Sequence, residues 1–189
     1  SIDFAKVKSA GVDYAMLRCG YRSYGEGILT EDTSFNTNAA EAIKNNIKIG
    51  AYFFSQAINT TEAREEADYV INMVKPYQIS GPIAIDIEEI FDDTYRQMHL
   101  TPAQLTDVII TFCDRIKEAG YTPMIYSNLS SFIGNVELER LENYEKWFAY
   151  YSDEPYFPYE ISMWQYTDSG VIDGISGNVD LNISFKEWK

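Results

Sequence analysis

The chain has 189 residues, of which 46% are hydrophobic and 23% charged, and its formal net charge is -14. This composition is ordinary for a globular protein with one buried core, so we expect a single domain spanning residues 1–189. The negative charge and the lack of a basic run argue against nucleic acid as a partner. No apolar stretch approaches the roughly 20 residues that span a bilayer, so we expect no membrane insertion.

Amphipathic helices alternate with short apolar strands along the chain. Asp3 is placed to cap a first helix that Gly11 ends, and the clearest later helix begins at Thr101 and Pro102 and runs to Gly120. The apolar runs that follow or separate the helices predict seven strands, at 14–19, 47–54, 83–87, 122–127, 146–150, 161–166 and 178–181.

This alternation predicts a parallel sheet, because parallel neighbours need crossover connections that helices supply. We predict an α/β fold, a TIM-like irregular (β/α) barrel that lacks its first strand in this chain, since seven strands follow an opening helix. An open doubly wound sheet is the alternative, but no glycine-rich phosphate loop supports it. Without a first strand, the edges of 14–19 and 178–181 would have no partner.

The cysteine and histidine content restricts the possible chemistry. Cys19 and Cys113 have neither metal-ligand spacing nor a CxxC pattern, and we expect two buried free thiols rather than a disulfide. His99 is the single histidine, which argues against histidine-based triads and histidine-rich metal sites. We therefore predict no metal and no cofactor.

The segment 82–89 (PIAIDIEE) carries acids inside an apolar strand pattern. Side chains alternate along a strand, so Ile83, Ile85 and Ile87 would face the helices and Asp86 and Glu88 the barrel axis. Buried acids are costly unless they are paired or used, and barrel enzymes place catalytic groups at this end of a strand. The alternative is that both acids leave the strand and begin an acidic loop.

Asp180 is a third acid, placed between two apolar residues on a late strand. In a closing barrel, we expect it to approach Asp86 and Glu88. Converging carboxylates without a histidine or cysteine partner suggest a glycosidase, in which one acid stays protonated and others stabilise positive charge. The same acids could instead bind a divalent cation in a metal-dependent hydrolase.

An ordered set of segments resembles family 25 of the glycoside hydrolases, the lysozymes of bacterial and phage cell lysis. These segments are 2–4 (IDF), 10–15 (AGVDYA), 18–21 (RCGY), 50–54 (GAYFF), 85–88 (IDIE), 124–128 (MIYSN), 147–151 (WFAYY), 164–167 (WQYT), 174–177 (GISG) and 179–182 (VDLN). The resemblance covers essentially the whole chain, and it rests on the order of the set more than on any one piece.

The resemblance implies a peptidoglycan muramidase that hydrolyses the β-1,4 bond between N-acetylmuramic acid and N-acetylglucosamine. Glu88 would be the proton donor. Asp86 would stabilise developing positive charge or orient the N-acetyl group, and Asp180 would set the electrostatics of the site. The partners implied are peptidoglycan glycan strands, and we expect a monomer that acts outside the cell or in the cell wall.

Aromatic residues suit a sugar groove, because tyrosine and tryptophan present a flat apolar face and a polar tip. Tyr126, Tyr150 and Trp164 would be groove walls by the resemblance, with core packing as the alternative for each.

The sequence departs from the family pattern at two places. The family's usual first strand, with its own aspartate, is not found before Ser1, and Phe53 stands where many relatives carry histidine. A non-catalytic wall-binding module on the same fold therefore stays an alternative.

Overall fold

A computed structural model describes residues 2–90 and 92–188, and its centre is one curled sheet of eight strands. In chain order the strands are β1 (Tyr14–Arg22), β2 (Leu29–Glu31), β3 (Lys48–Phe54), β4 (Ile83–Asp86), β5 (Pro123–Asn128), β6 (Glu145–Ala149), β7 (Met163–Gly170) and β8 (Val179–Ser184). Their spatial order is β2-β1-β3-β4-β5-β6-β7-β8. The predicted α/β class is confirmed.

Two strands depart from the predicted parallel sheet. The strands β1 and β3 to β7 pair in parallel, whereas β2 pairs antiparallel with β1, and β8 pairs antiparallel with β7. The count of seven was wrong because β2 has only 3 residues, too few to leave an apolar run in the sequence. The link from β7 to β8 is too short for a helical crossover, so the chain turns back as a hairpin.

Helices cover the outer face of the sheet. They are α1 (Phe4–Ser9), α2 (Phe35–Lys44), α3 (Thr60–Val74), α4 (Pro102–Glu118) and α5 (Leu129–Gly134), followed by a 3-10 turn (Leu138–Leu141). The expected start of α4 is confirmed, since Thr101 and Gln104 form a reciprocal capping box with proline in the first turn. Within the described residues, no helix is both long and apolar enough to cross a membrane.

The main core lies between the sheet and the helices. Ile83, Ile85 and Ile87 all belong to it, as the alternation of side chains predicted. Phe112 of α4 is fully buried against this face. The two cysteines lie in the same core as free thiols, also as expected. Packing of the helices on this outer face stabilises the curled sheet. The opposite, inner face of the sheet lines an interior space.

The sheet is a curled half-barrel with a gap between β1 and β8. β2 pairs with β1 only from Gly20 to Arg22, and β8 pairs with β7 alone. Between the first half of β1 and β8 lies a cavity of about 600 Å³, which we call the edge groove. Phe4 and Val7 of α1 line it together with inner-face residues of β1 and β8. The expected open edges are therefore present in the described part of the chain.

Candidate active site

The strand that carries the first acids is shorter than predicted. β4 ends at Asp86, so Glu88 lies in the segment after the strand. Neighbouring β5 still fixes this segment, because the Ile87 N–H donates to the Tyr126 carbonyl at 3.0 Å and the Ser127 hydroxyl donates to the Ile87 carbonyl at 2.6 Å. The residue before Glu88 is thus still hydrogen-bonded to β5 after β4 has ended.

The structure brings the three predicted catalytic acids into one cavity. Asp86, Glu88 and Asp180 line an interior space of about 80 Å³ at the carboxyl end of the parallel strands. Tyr52, Tyr126, Trp147 and Gln165 complete its wall. Asp180 reaches this space from β8, although its side chain stays exposed because the neighbouring edge is open. We call this space the acid pocket.

A wider cavity of about 710 Å³, which we call the outer groove, adjoins the acid pocket at Glu88. Its wall includes Tyr126, Leu129, Ile133, Tyr150 and Tyr151. Glu88 lines both spaces, whereas Asp86 lines only the acid pocket. Of the two acids, Glu88 is therefore the one that a molecule in the outer groove can touch.

Asp86 is held in conditions that oppose its charge. Its side chain is 5% exposed, and its Oδ1 atom has no hydrogen-bond partner among the described residues. Burial raises the pKa of Asp86 well above its usual range; Glu88 and Asp180 raise it further, and Arg18 acts in the opposite direction. This carboxyl therefore favours the protonated form.

Glu88 is coupled to Asp86. Burial raises the pKa of Glu88, its hydrogen bond with Asp86 lowers it, and the charge of Asp180 raises it again. The two carboxyls interact, so their protons come off in two steps that belong to the pair rather than to either residue. A proton held on such a pair is available to a leaving group at a pH where ordinary carboxyls are ionised.

Hydrogen bonds fix the aromatic side of the site. The Tyr126 and Tyr151 hydroxyls both donate to Gln165 Oε1, each at 2.9 Å. Burial and the nearby carboxylates raise the pKa of Tyr126, so its phenol stays protonated. Sequence reasoning assigned no role to Gln165 or Tyr151. The available signal was a polar Gln165 between aromatic neighbours on a strand, inside a segment that already resembled the family.

Trp164 is the predicted groove residue that the structure does not bring to these cavities. It is 8% exposed, and its indole N–H donates to the Tyr150 carbonyl at 2.7 Å. Alternation along β7 places it on the face opposite Gln165. Phe53 also faces the helices, with its ring 5.9 Å from that of Tyr69, so the departure noted at this position lies outside the acid pocket.

The acids do not form an evident cation site. Among residues 2–90 and 92–188, no three histidine, cysteine, aspartate or glutamate side chains come together as metal ligands would. Asp86, Glu88 and Asp180 share a pocket wall without closing around a common point. The arrangement is suited to proton transfer and to stabilising positive charge at a bound sugar.

Comparison with known proteins agrees with this geometry. The model of a family described as glycosyl hydrolases family 25 matches residues 1–175. An autolytic lysozyme of Clostridium acetobutylicum is 26% identical over 183 residues, which are 96% of this chain and 52% of that protein. A D-alanyl-L-alanine endopeptidase of Streptococcus phage B30 is 28% identical over 147 residues, 70% of this chain and 31% of that protein. The chain thus spans about half or less of these two relatives.

Solved structures show the same architecture. The modular autolysin LytC of Streptococcus pneumoniae superposes with a TM-score of 0.82 at 28% identity, over 95% of this chain and 42% of that one. A bacterial lysozyme of Streptomyces coelicolor superposes with a TM-score of 0.81 at 24% identity, over 98% of this chain and 87% of that one, and shows the fold alone. The family model, the shared fold and the predicted acids in one pocket lead to the same assignment: the chain belongs to family 25 of the glycosyl hydrolases.

Proposed function

We propose that this protein is a peptidoglycan muramidase, which hydrolyses the β-1,4 bond between N-acetylmuramic acid and N-acetylglucosamine. The observation that carries the proposal is the acid pocket, where a coupled carboxyl pair opens through Glu88 onto a groove lined by tyrosines. Among similar proteins, LytC of Streptococcus pneumoniae has been solved with a synthetic peptidoglycan ligand. Such glycan strands are the partner that we propose here.

In this proposal, Glu88 is the general acid because it reaches both the acid pocket and the outer groove. It donates a proton to the glycosidic oxygen as the bond to the departing sugar breaks. Asp180 and the ionised form of Asp86, in the same pocket, stabilise the positive charge that develops on the reacting sugar. This chemistry needs no cofactor.

Tyr126 and Tyr150 provide groove walls against which sugar rings stack. Trp164 supports this wall from behind through its bond to the Tyr150 carbonyl. We further propose that residues 1–189 form one catalytic domain, that it acts as a monomer outside the cell or in the wall, and that a strand in the edge groove completes a TIM-like barrel.

The test is digestion of purified peptidoglycan by the full-length protein, followed by mass analysis of the new reducing ends. Muramic acid at those ends supports the proposal. Glucosamine ends, or cleavage within the peptides, would identify a different bond. Binding to the wall without release would identify a binding module, and activity that excess chelator abolishes would identify a metal-dependent hydrolase.

A further inference from the structure

Gln165 of β7 links β5 and the segment after β6 at the edge of the acid pocket. It lies on β7, is 2% exposed, and accepts the hydroxyl protons of Tyr126 from β5 and Tyr151 from the segment after β6. Its backbone carbonyl also accepts from the Tyr150 N–H at 3.1 Å. Each phenol has a single hydroxyl proton. Because both protons are donated to Gln165 Oε1, neither phenol has a proton left to donate to another acceptor.

Both phenols share their cavity with Glu88. Tyr126 and Tyr151 line the outer groove beside this acid; burial raises the pKa of each phenol, and nearby carboxylates, Glu88 among them, raise it further. A phenol in the same cavity as a carboxylate is a potential hydrogen-bond donor to it. Such a bond stabilises the ionised carboxylate, which is the wrong form for a general acid.

We propose that Gln165 is a positioning residue that holds the hydroxyl protons of Tyr126 and Tyr151 away from Glu88, so that the acid keeps its own proton for the leaving sugar. This inference rests on the proposed function for its catalytic meaning. Gln165 acts through the two phenols, whose hydroxyl protons it accepts.

Several other groups face Glu88, and one of them, Tyr95, has the same kind of contact to a glutamine amide oxygen. They are Asp86 on β4, Asp180 on β8, Tyr24 between β1 and β2, and Tyr95 in the segment after Glu88. The Tyr95 hydroxyl donates to Gln97 Oε1 at 3.1 Å. The Asp86 carboxyl also lowers the pKa of Glu88 through their hydrogen bond, in every variant alike, so the Gln165 contacts concern only the two phenols on the groove side.

Two substitutions at one position separate this role from simple packing. Gln165→Met keeps the length of the side chain but removes the acceptor, which frees both phenols to donate to Glu88. The alkaline limb of the kcat/KM profile, compared with that variant's own plateau, should then move to lower pH by about one unit. Gln165→Glu keeps an acceptor for both phenols and adds negative charge, so its limb should lie at or above the wild-type position.

Asn182→Leu is the matched control. Asn182 is the register partner of Gln165 on β8, and its Oδ1 accepts the Trp147 indole proton at 2.7 Å, on the edge-groove side of the sheet interior. This variant should lose thermal stability like Gln165→Met but keep the wild-type pH profile. The inference would be overturned if the alkaline limb of kcat/KM lay at the same pH in Gln165→Met and wild type. It would also be overturned if Gln165→Met, Gln165→Glu and Asn182→Leu all shifted that limb equally.

A second readout separates this inference from the proposed function. This readout is the midpoint of the pH titration of Glu88, measured from the NMR chemical shift of its carboxyl carbon in the same variants. It requires no substrate. If the wild-type protein releases no muropeptides, the proposed function fails and the Glu88 midpoint still decides the role of Gln165. A midpoint unchanged between wild type and Gln165→Met would then refute it.

Discussion

The two faces of the sheet differ in what fills them. On the outer face, Ile83, Ile85, Ile125 and Phe148 are fully buried against helices in the main core. On the inner face, a small group of Ala84, Met124, Trp147, Met163 and Trp188 is buried, and the space above it is lined by acids and phenols. The same strands therefore build both an apolar core and a charged pocket.

This difference separates the residues that stabilise the fold from those that do chemistry. Apolar burial on the outer face contributes the free energy that holds the sheet. On the inner face, burial of Asp86 and Glu88 costs stability, because it opposes their ionisation. Perturbed acids in a cleft with open access are typical of a functional site. Each prediction below tests whether the two faces do act differently.

The largest expected effect is on turnover. Glu88→Gln should fold normally and lower muropeptide release by about 10²–10⁴-fold, the usual contribution of general acid catalysis. Glu89→Gln is the matched control, since its side chain is exposed and lies outside the acid pocket. Turnover measured on purified peptidoglycan checks both. Near-normal muropeptide release by Glu88→Gln would show that Glu88 is not the general acid.

Substitutions on the outer face should instead lower the free energy of unfolding. Ile125→Ala on β5 should lower the free energy of unfolding by about 2–5 kcal/mol, because it leaves a cavity in a fully buried layer. Met16→Ala on the inner face of β1 should cost only about 1 kcal/mol, since that side chain is half-buried beside the edge groove. Denaturant unfolding measures both values. Equal costs would show that the two faces are packed alike.

The open edges give a third prediction. An extension of about ten residues before Ser1 that supplies one apolar strand should occupy the edge groove and pair with β1 and β8. We expect about 2 kcal/mol of added stability, seen as a rise of several degrees in the thermal midpoint, together with higher activity. A glycine-serine extension of equal length is the control. Identical behaviour of both extensions and the chain from Ser1 would contradict this prediction.

A smaller gain in stability is expected from Asp86→Asn. The pKa of Asp86 is raised in the folded protein, so folding loses stability as the pH rises from its unfolded value toward its folded one. Asparagine does not titrate, and the variant should be more stable by about 1 kcal/mol at pH 7 and show no such gain near pH 3. Unfolding free energies across this range test the sign. A less stable variant at pH 7 would contradict it.

Local sequence patterns predicted the outer face well. Alternation placed Ile83, Ile85 and Ile87 toward the helices, and the capping pattern at Thr101 located the start of α4. These features depend on neighbours in the chain, so they can be read one segment at a time. The strand β2 was not predicted, because three residues are too few to show the alternation of a strand.

The inner face was predicted only in part, because it depends on contacts between distant segments. Alternation and resemblance were enough to bring Asp86, Glu88 and Asp180 together. They did not reveal Gln165, whose importance comes from two phenols on other segments. The assignment of Trp164 to the groove followed the family resemblance of its segment, and the pleat of β7 places its ring on the face opposite Gln165.

The most direct test of a carboxyl pair that retains a proton is an NMR titration of the side-chain carboxyl carbons in the wild-type protein. Asp92 provides an internal reference, because its exposed carboxylate accepts hydrogen bonds from Thr94 that lower its pKa. We predict that Asp86 and Glu88 titrate in two coupled steps above the ordinary range of aspartate and glutamate, while Asp92 titrates below it. If both pocket acids instead lose their protons at ordinary pH values, the inner face holds no proton for a leaving group, and the account is wrong.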